Sequence, residues 1–399
     1  MAMEHRPLVV VGAGASGMAA SIAAAQSGVA PCLLEASAKA GRSVMAAGNG
    51  RCNFANADLS PERYNEPAFV AAAMGDEPLA PILGFFEALG LWYVADDEGR
   101  LFPRSRAAAS VLDVLLAAMD ERGVEPRLDA RVVEVRPRDG GWCVVLESGE
   151  LLSCDALVWA AGGGSADAVA SGAGLPLVPE RAALCPLACD PRPGKPLDGV
   201  RVPCAVSLLS GRSTVARRDG EVLFRPYGLS GIAVFDLSRL ARPGDVLSLD
   251  LLPDVGEGQL ASLLSERLER RSARCSTREG CLGFLDGALH PKVGRHLMAI
   301  ACGPDARLPI DCGRLAALMK GWEFTVTGTA DETHAQVVQG GLATSAFDPL
   351  TLEARQAPGF FACGEALDVD GECGGMNLAW AWSSGMVAGV AAARHVLRC

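Results

Sequence analysis

An α/β fold with a Rossmann-like dinucleotide-binding domain is predicted by three features of this 399-residue sequence. A glycine-rich turn joins an apolar strand to an alanine-rich helix near the N-terminus. A three-stranded β-meander at 127–154 leads into an apolar strand at 156–161. A proline-rich, short-stranded region at 176–253 then precedes a helical region at 257–304. They predict a domain with a parallel sheet and a β-meander, followed by a β-rich domain and a helical insert. Two further helices are expected at about 77–89 and 105–122.

The charge and cysteine content exclude several classes of protein. The chain has 36 basic and 47 acidic residues, a net charge of −11, which argues against a nucleic-acid partner. Its 14 cysteines form no Cys-x-x-Cys pair, so neither a disulfide scaffold nor a metal site is expected. Reduced, mostly buried thiols in a cytoplasmic protein are the expectation.

An uncharged stretch at 7–34 resembles a membrane span in hydropathy alone. Four glycines interrupt it, and its apolar period changes from a strand to a helix at the glycine-rich turn. We therefore expect strand, turn and helix, with no membrane span.

The turn itself is Gly12-Ala13-Gly14-Ala15-Ser16-Gly17, a GxGxxG motif between strand and helix. The three glycines permit a tight turn, the approach of a pyrophosphate, and close packing of helix on strand. The next strand ends in Glu35, where a carboxylate accepts hydrogen bonds from ribose hydroxyls. A dinucleotide is thus predicted, and the acid disfavours NADP at this turn. NAD and FAD both remain open.

A second motif, Gly364–Gly389, lies near the C-terminus. Four carboxylates, of which Glu365 and Asp370 are two, precede Gly374-Gly375, and a helix is predicted from about Asn377. Acids there match the hydroxyl donors of a ribityl chain, and the helix N-terminus stabilises negative charge on a reduced flavin. The spacing does not match a calcium loop.

These motifs resemble the YhiN/BaiN-like family of FAD-dependent oxidoreductases over nearly the whole chain. The resemblance rests on VVVGAGASGMAAS at 9–21, GRSVMAAGNGRCNFAN at 41–56, GRLFPRSRAAASVLDVL at 99–115, GEVLFRPYGLSGIAVFDLS at 220–238, VVQGGLATSAFDPLTLEAR at 337–355 and GFFACGEALDVDGECGGMNLAWAWSSGMVAG at 359–389.

The resemblance implies FAD, held by a domain made from both chain ends. The FAD is expected to be non-covalent, because no histidine or cysteine tether motif is evident. The expected domains are an FAD-binding domain at 1–175 and 326–399, a β-rich substrate or cap domain at 176–256 and 305–325, and a helical insert at 257–304. The residues expected at FAD are Gly12, Gly14, Ala15, Ser16, Gly17, Glu35, Ala36, Arg42, Gly50, Arg51, Cys52, Asn53, Val133, Ala161, Gly162, Gly364, Glu365, Asp370, Gly374, Gly375, Asn377 and Leu378.

The implied activity is hydride transfer between the flavin and a small organic substrate. In one branch of the family, a C=C bond conjugated to the ketone of an oxidised bile-acid steroid is reduced. An enone reductase needs a proton donor, and the candidates are Tyr227, Arg225 and His290. With no second dinucleotide turn, NAD(P)H is expected only as a transient electron donor. Two alternatives stay open: a non-catalytic or redox-sensing flavoprotein, and a flavoprotein that modifies tRNA.

The sequence also departs from the family pattern. Ala47 stands where the family usually has Thr, Met376 where it has Tyr, and Pro226-Tyr227 where it has Thr-His. These positions are expected near the flavin and the substrate. FAD binding is still expected, but the departures leave the substrate open. The sequence also leaves the oligomeric state open.

Overall fold

The computed structural model describes residues 3–190, 192–303, 309–330 and 335–399, in two units. The first unit contains Met1–Arg181 and Val337–Cys399, and the second contains Ala182–Gln336. The α/β expectation is confirmed: the first unit holds a five-stranded parallel sheet, and the second holds a closed barrel. The domain boundary expected between 304 and 305 lies outside the described residues.

The first unit is built around the parallel sheet, with strand order β20-β11-β2-β3-β7. Its strands are β1 Glu4–His5, β2 Leu8–Val11, β3 Cys32–Leu34, β4 Ala55–Asn56, β5 Tyr93–Ala95, β6 Arg100–Pro103, β7 Pro126–Arg127, β8 Val132–Arg138, β9 Gly141–Leu146, β10 Leu151–Cys154, β11 Ala156–Trp159, β12 Leu177–Ala183, β19 Val337–Leu342 and β20 Phe360–Ala362. The last residues of β12 belong to the second unit. Every residue of β2 is buried, as its continuous apolar run requires of a central parallel strand.

Three smaller sheets complete the strands of this unit. The meander β8-β9-β10 is antiparallel, as predicted, and β1 adds to its edge in parallel with β10. A three-stranded sheet has the order β4-β6-β5, and β12 pairs with β19.

Seven helices of the described residues belong to the first unit: α1 Ala15–Gln26, α2 Arg42–Ala46, α3 Pro67–Met74, α4 Ala80–Ala88, α5 Ala108–Asp120, α6 Asp167–Ala173 and α12 Met376–Val396. Helices α1 and α12 pack with their backbones in close approach. A Cβ on Gly385 would lie 2.4 Å from the carbonyl oxygen of Ser16, and one on Gly389 would lie 2.2 Å from that of Ala20. The C-terminal helix therefore packs tightly on the helix that follows the glycine-rich turn.

The second unit is a six-stranded barrel with the order β13-β16-β15-β14-β17-β18 and helices around it. Its strands are β13 Leu187–Cys189, β14 Arg201–Ser210, β15 Ser213–Arg225, β16 Gly228–Ser230, β17 Val246–Asp250 and β18 Trp322–Thr329. Its described helices are α7 Ile232–Ser238, α8 Glu257–Arg271, α9 Arg278–Leu282, α10 Pro291–Cys302 and α11 Cys312–Lys320.

The barrel and the helical region share one hydrophobic core. Leu264 of α8 and Leu297 of α10 belong to the same buried cluster as Phe224 and Trp322 of the barrel. Strand β18 pairs with β13 and β17, so residues 322–329 form one strand of the second unit. This strand spans positions 325 and 326, between which a domain boundary was expected. Within the described parts of the chain, no helix is long and apolar enough to cross a membrane.

Candidate functional site

The glycine-rich turn after β2 packs against the chain that leaves β11. Gly12 has a φ of +102°, and a Cβ there would lie 2.4 Å from the carbonyl oxygen of Ala160. A Cβ on Gly17 would lie 1.7 Å from the carbonyl oxygen of Gly12. Both positions need glycine, because the backbones meet where a side chain would otherwise stand.

The N-terminus of α1 has no side-chain cap. Its N-cap residue is Gly14, in extended conformation, and no acidic residue lies in its first turn. The N–H groups of Ala15 and Ser16 thus lie at the positive end of the helix dipole without a capping side chain. Such a terminus binds a phosphate group.

Glu35 is held beside this turn by the backbone. Its Oε2 accepts a hydrogen bond from the Ala13 N–H at 2.8 Å, and its Oε1 accepts one from the Ser37 N–H at 2.9 Å. The carboxylate is thereby oriented at the end of β3, where the sequence predicts ribose binding.

The carboxyl ends of three neighbouring strands, β2, β11 and β20, meet at this point. A Cβ on Gly12 would lie 2.8 Å from the Cα of Ala161, which precedes Gly162. A Cβ on Gly364, which follows β20 closely, would lie 2.5 Å from the Oγ of Ser16. The structure therefore brings together residues 149 and 348 positions apart, at the edge where open α/β sheets bind ligands.

Glu365 is a carboxyl group with an altered affinity for protons. Burial, with a smaller contribution from the nearby Asp370, raises its pKa to about 7, although the hydrogen bond from the Gly163 N–H favours the charged form. A hydroxyl-rich ligand at this edge would meet a group that changes charge near neutral pH.

Asp368 and Asp370 already have protein partners. Asp370 is fully buried, and the Nε2 of Gln339 donates to its Oδ1 at 2.8 Å. Asp368 Oδ1 accepts from the Gly340 N–H at 3.1 Å and from the Nδ2 of Asn65 at 3.2 Å. Burial also raises the pKa of Asp368. These two acids therefore hold the loop before α12 in place.

The N-terminus of α12 is a second uncapped helix end. Its N-cap residue, Gly375, is left-handed, with no side-chain cap and no acid in the first turn of the helix. The Nδ2 of Asn56 donates to the carbonyl oxygen of Gly374 at 2.8 Å, and the side chain of Asn377 bonds the N–H and carbonyl of Gly371 at 2.8 and 2.9 Å. Asn377 thus shapes the loop directly before the helix.

Asn53 supplies a test of whether these residues fit FAD. Its Oδ1 is buried without a hydrogen-bond partner in the described structure, and it would lie 2.9 Å from a Cβ on Gly375. A buried acceptor without a donor is costly unless a ligand satisfies it. The uncapped start of α1, at the glycine-rich turn, suits the phosphates of FAD. The unpaired Asn53 acceptor beside the uncapped start of α12 suits its polar ring.

The loop that carries Asn53 has an unusual backbone. Gly48, Asn49, Gly50 and Cys52 all have positive φ, and Asn49 and Cys52 are not glycine. Cys52 is buried, and burial raises the pKa of its thiol to about 12. The neighbouring Arg51 is exposed, so the loop presents its arginine and its backbone, while its thiol is buried.

Four further expected cofactor residues lie on separate elements of the first unit. Ala36 follows Glu35, Arg42 is the first residue of α2, Val133 is in β8, and Leu378 is in the first turn of α12. All four side chains are at least partly exposed, which leaves them available to a ligand.

The expected catalytic residues all belong to the second unit. Arg225 ends β15, and its Cζ lies 5.9 Å from the ring centroid of the half-buried Tyr227. His290 is the exposed N-cap residue of α10, where its Nδ1 accepts from the Lys292 N–H at 3.3 Å. The structure therefore pairs Arg225 with Tyr227, while His290 has a helix-capping role.

Three residues of the site were missed by the sequence analysis. Asn56 is the last residue of the glycine-rich and asparagine-rich segment at 41–56, so the sequence could have indicated it as a site residue. Asn65 and Gln339 bond the acids from distant parts of the chain, and no local pattern marks them.

The chain is similar to one known protein family and to several characterised proteins. The family described as HI0933-like protein Rossmann domain matches residues 6–391. The chain is 33% identical over 410 residues to a 3-dehydro-bile acid delta(4,6)-reductase of Clostridium scindens, covering 97% of this chain and 98% of that protein. It is 31% identical over 404 residues to a ribosomal RNA dihydrouridine synthase of Escherichia coli, covering 96% of each. An open flavocytochrome c3 fumarate reductase structure superposes with a TM-score of 0.49 at 17% identity, covering 99% of this chain and 79% of that one.

Proposed function

Since this chain belongs to the HI0933-like family of FAD-binding Rossmann proteins, we propose that it is an FAD-dependent reductase of a C=C bond conjugated to a carbonyl group. The observation that carries the proposal is the edge formed by β2, β11 and β20, with two uncapped helix N-termini and the orphaned Asn53 acceptor. The names of the two relatives support it, because both describe saturation of a C=C bond conjugated to a carbonyl.

The chain's own residues divide the work of holding the cofactor. The first turn of α1 and Glu35 would hold the pyrophosphate and a ribose, while Asn53 and the start of α12 would hold the ring. FAD, when bound, supplies hydride transfer to or from carbon. Gly14 leaves room for the pyrophosphate, because it carries no side chain at the turn.

Reduction of such a bond adds a hydride to the β-carbon and a proton to the α-carbon, so an acid must donate that proton. We assign this role to the Tyr227 hydroxyl, from its place directly before the Gly-Leu-Ser-Gly segment. Arg225 would bind the carbonyl oxygen of the substrate. His290 is the weaker candidate, because the structure gives its Nδ1 a capping role.

Two substrate classes fit this chemistry: a steroid-like enone, and a uracil ring in RNA. The net charge of −11 does not decide between these two substrates, because the acidic excess lies in the first unit alone. The first unit has 17 basic and 29 acidic residues, whereas the second has 19 and 18. A uracil substrate is favoured by the 31% identity to a ribosomal RNA dihydrouridine synthase, and an enone by the 33% identity to the bile-acid reductase.

A redox-sensing role through a thiol is less well supported. Burial raises the pKa of Cys52, and also that of Cys363 beside Gly364, to about 12. Thiols with such values react slowly at neutral pH, because the thiolate is the reactive form.

The test is an anaerobic oxidative half-reaction. The purified protein is photoreduced and then mixed with a 3-keto-Δ4 steroid, with uridine, or with a uridine-containing oligoribonucleotide, while flavin absorbance is followed. Reoxidation with formation of the saturated product supports the proposal and identifies the class. Reoxidation no faster than with buffer for all three contradicts it. Stopped-flow reduction with NADH and NADPH tests the proposed transient electron donor separately.

A further inference from the structure

An exposed surface of the first unit combines one open tryptophan ring with exposed arginines. Strands β5 and β6 pair Tyr93 with Pro103, and the Arg104 N–H continues this ladder by donating to the Trp92 carbonyl at 2.7 Å. Trp92 and Arg104 therefore stand opposite each other. We call the surface of Trp92, Arg104 and Arg106, with the buried Phe102 ring under Arg106, the arginine–aromatic face.

Trp92 is unlike the other tryptophans of the chain. It is 78% exposed, while the other five are at most 4% exposed. It lines an open pocket of about 490 Å³ with Arg104, Glu87, Leu91 and Tyr93. Tyr93 already donates its hydroxyl hydrogen to Glu87 at 2.8 Å, so the indole is the ring left open to a partner. Exposure of the apolar indole to water is unfavourable, and stacking on a partner would remove that surface from water.

The arginines of this face have no acidic partner. The Cζ of Arg106 lies 4.6 Å from the Phe102 ring centroid, and that of Arg51 lies 5.5 Å from the same centroid. Among the described residues, no carboxylate lies within ion-pair distance of Arg104 or Arg106, or of Arg51 beside them. Arg106 also has a φ of +56°, a conformation that non-glycine residues seldom adopt.

This charge pattern points to a phosphate-bearing partner. The first unit has an excess of 12 acidic residues, yet three neighbouring guanidinium groups there are left without carboxylates. Guanidinium groups match phosphate geometry, and an exposed aromatic ring stacks on unpaired bases. An acidic peptide would satisfy the charges but leave the indole without a stacking partner.

We propose that the arginine–aromatic face binds a single-stranded segment of RNA, with a base stacked on Trp92 and phosphates on Arg104 and Arg106. Arg51 joins this face to the loop expected at the flavin, because it shares the Phe102 ring with Arg106. An RNA strand on the face would thus continue toward that loop. The inference names uracil in RNA as the substrate class, and in that respect it rests on the proposed function.

The binding test uses the flavin-loaded protein and a fluorescein-labelled single-stranded oligouridylate, followed by fluorescence anisotropy. Trp92→Ala is expected to weaken binding about 5- to 150-fold, the range for loss of one stacked base. Arg104→Gln and Arg106→Gln should each lower the slope of log affinity against log salt by about 0.7. Arg136→Gln is the matched control, since Arg136 is exposed but paired with Glu134, and it should bind as the wild type does. FAD content and melting temperature verify that each variant is folded.

The outcomes separate this inference from the proposed function. If the three face variants bind oligouridylate as Arg136→Gln does, the inference is overturned, whatever the enzyme reduces. If binding depends on the face but the wild type reduces neither free uridine nor the oligouridylate, RNA binding at the face is supported and uracil as the substrate class is overturned. A duplex DNA or NADPH that competes at equal concentration would show a general phosphate site and would also contradict the inference.

Discussion

The Oε2 of Glu35 accepts a hydrogen bond from the backbone N–H of Ala13 at 2.8 Å. This bond joins the end of β3 to the glycine-rich turn after β2, and a second bond, from the Ser37 N–H, holds the other carboxylate oxygen. The acid therefore both shapes the turn and faces the expected ribose position. Its orientation is set before any ligand binds, which lowers the entropy cost of binding.

Glu35→Ala should weaken FAD retention and also lower the melting temperature of the apoprotein by about 2–6 °C. The apo effect arises because Ala13 and Ser37 lose an acceptor worth ~1–2 kcal/mol. Glu35→Gln keeps one acceptor oxygen and should show a smaller apo effect. Thermal melts with and without FAD measure both, and Glu125→Ala, an exposed acid with no such bonds, is the control. An unchanged apo melt would contradict the structural part of this role.

Gly14→Val should abolish FAD binding while leaving a folded apoprotein. The φ of Gly14 is −84°, which any residue adopts, and a Cβ there would meet only the Ser43 Oγ, at 3.1 Å. The added side chain would stand where a pyrophosphate must approach the turn. Flavin absorbance after reconstitution and the apo melting temperature are the measurements. A variant that purifies with a full complement of FAD would exclude this turn as the phosphate site.

Gly375→Ala should destabilise the first unit by about 2–4 kcal/mol. Gly375 has a φ of +104°, and a Cβ would lie 2.5 Å from the carbonyl oxygen of Ala55, so both strain and a backbone clash oppose the change. Gly149→Ala is the matched control, because its φ is +85° but nothing lies within 4 Å. It should cost about 1 kcal/mol. Urea denaturation of the two variants compares them, and equal losses would show that the close approach at Gly375 is absent.

Glu365→Gln should change how apoprotein stability depends on pH. The pKa of Glu365 is raised from 4.5 to about 7, so the folded state holds the proton more tightly than the unfolded state does. Its contribution to stability is fully present below about pH 4.5 and is lost as the pH rises through about 7. The variant should melt close to the wild type at pH 5 and several degrees above it at pH 8. A difference that is constant between these pH values would contradict burial of this carboxyl group.

Tyr227→Phe should slow substrate reduction about 10²- to 10⁴-fold, the usual loss when a general acid is removed. Reduction of the flavin by its electron donor should be nearly unchanged, because no proton is delivered to the substrate in that step. Single-turnover stopped-flow measurements of the two half-reactions make the comparison. An unaltered oxidative half-reaction would show that Tyr227 is not the proton donor and would leave Arg225 as the next candidate.

Locally encoded elements were predictable from the sequence. The strand at Leu8–Val11, the glycine-rich turn, the meander and the start of α12 near Asn377 all depend on the period of apolar residues and on turn chemistry within a few residues. Helix boundaries were predicted less accurately. The helix predicted at 105–122 runs from Ala108 to Asp120, because Arg106, just before it, has a left-handed backbone conformation.

Only the tertiary structure decided what depends on contacts between distant segments. The sequence showed four acids before α12, but folding alone gave Asp368 and Asp370 their partners Asn65 and Gln339 and left Glu365 with a raised pKa. Closure of the barrel by β18, more than 70 residues after β17, has no local signature either. The arginine–aromatic face likewise exists because β5 pairs with β6 and the loop around Arg51 folds onto Phe102. Local backbone preferences are written in neighbouring residues, whereas burial, pKa and charge pairing are set by whatever the fold brings alongside.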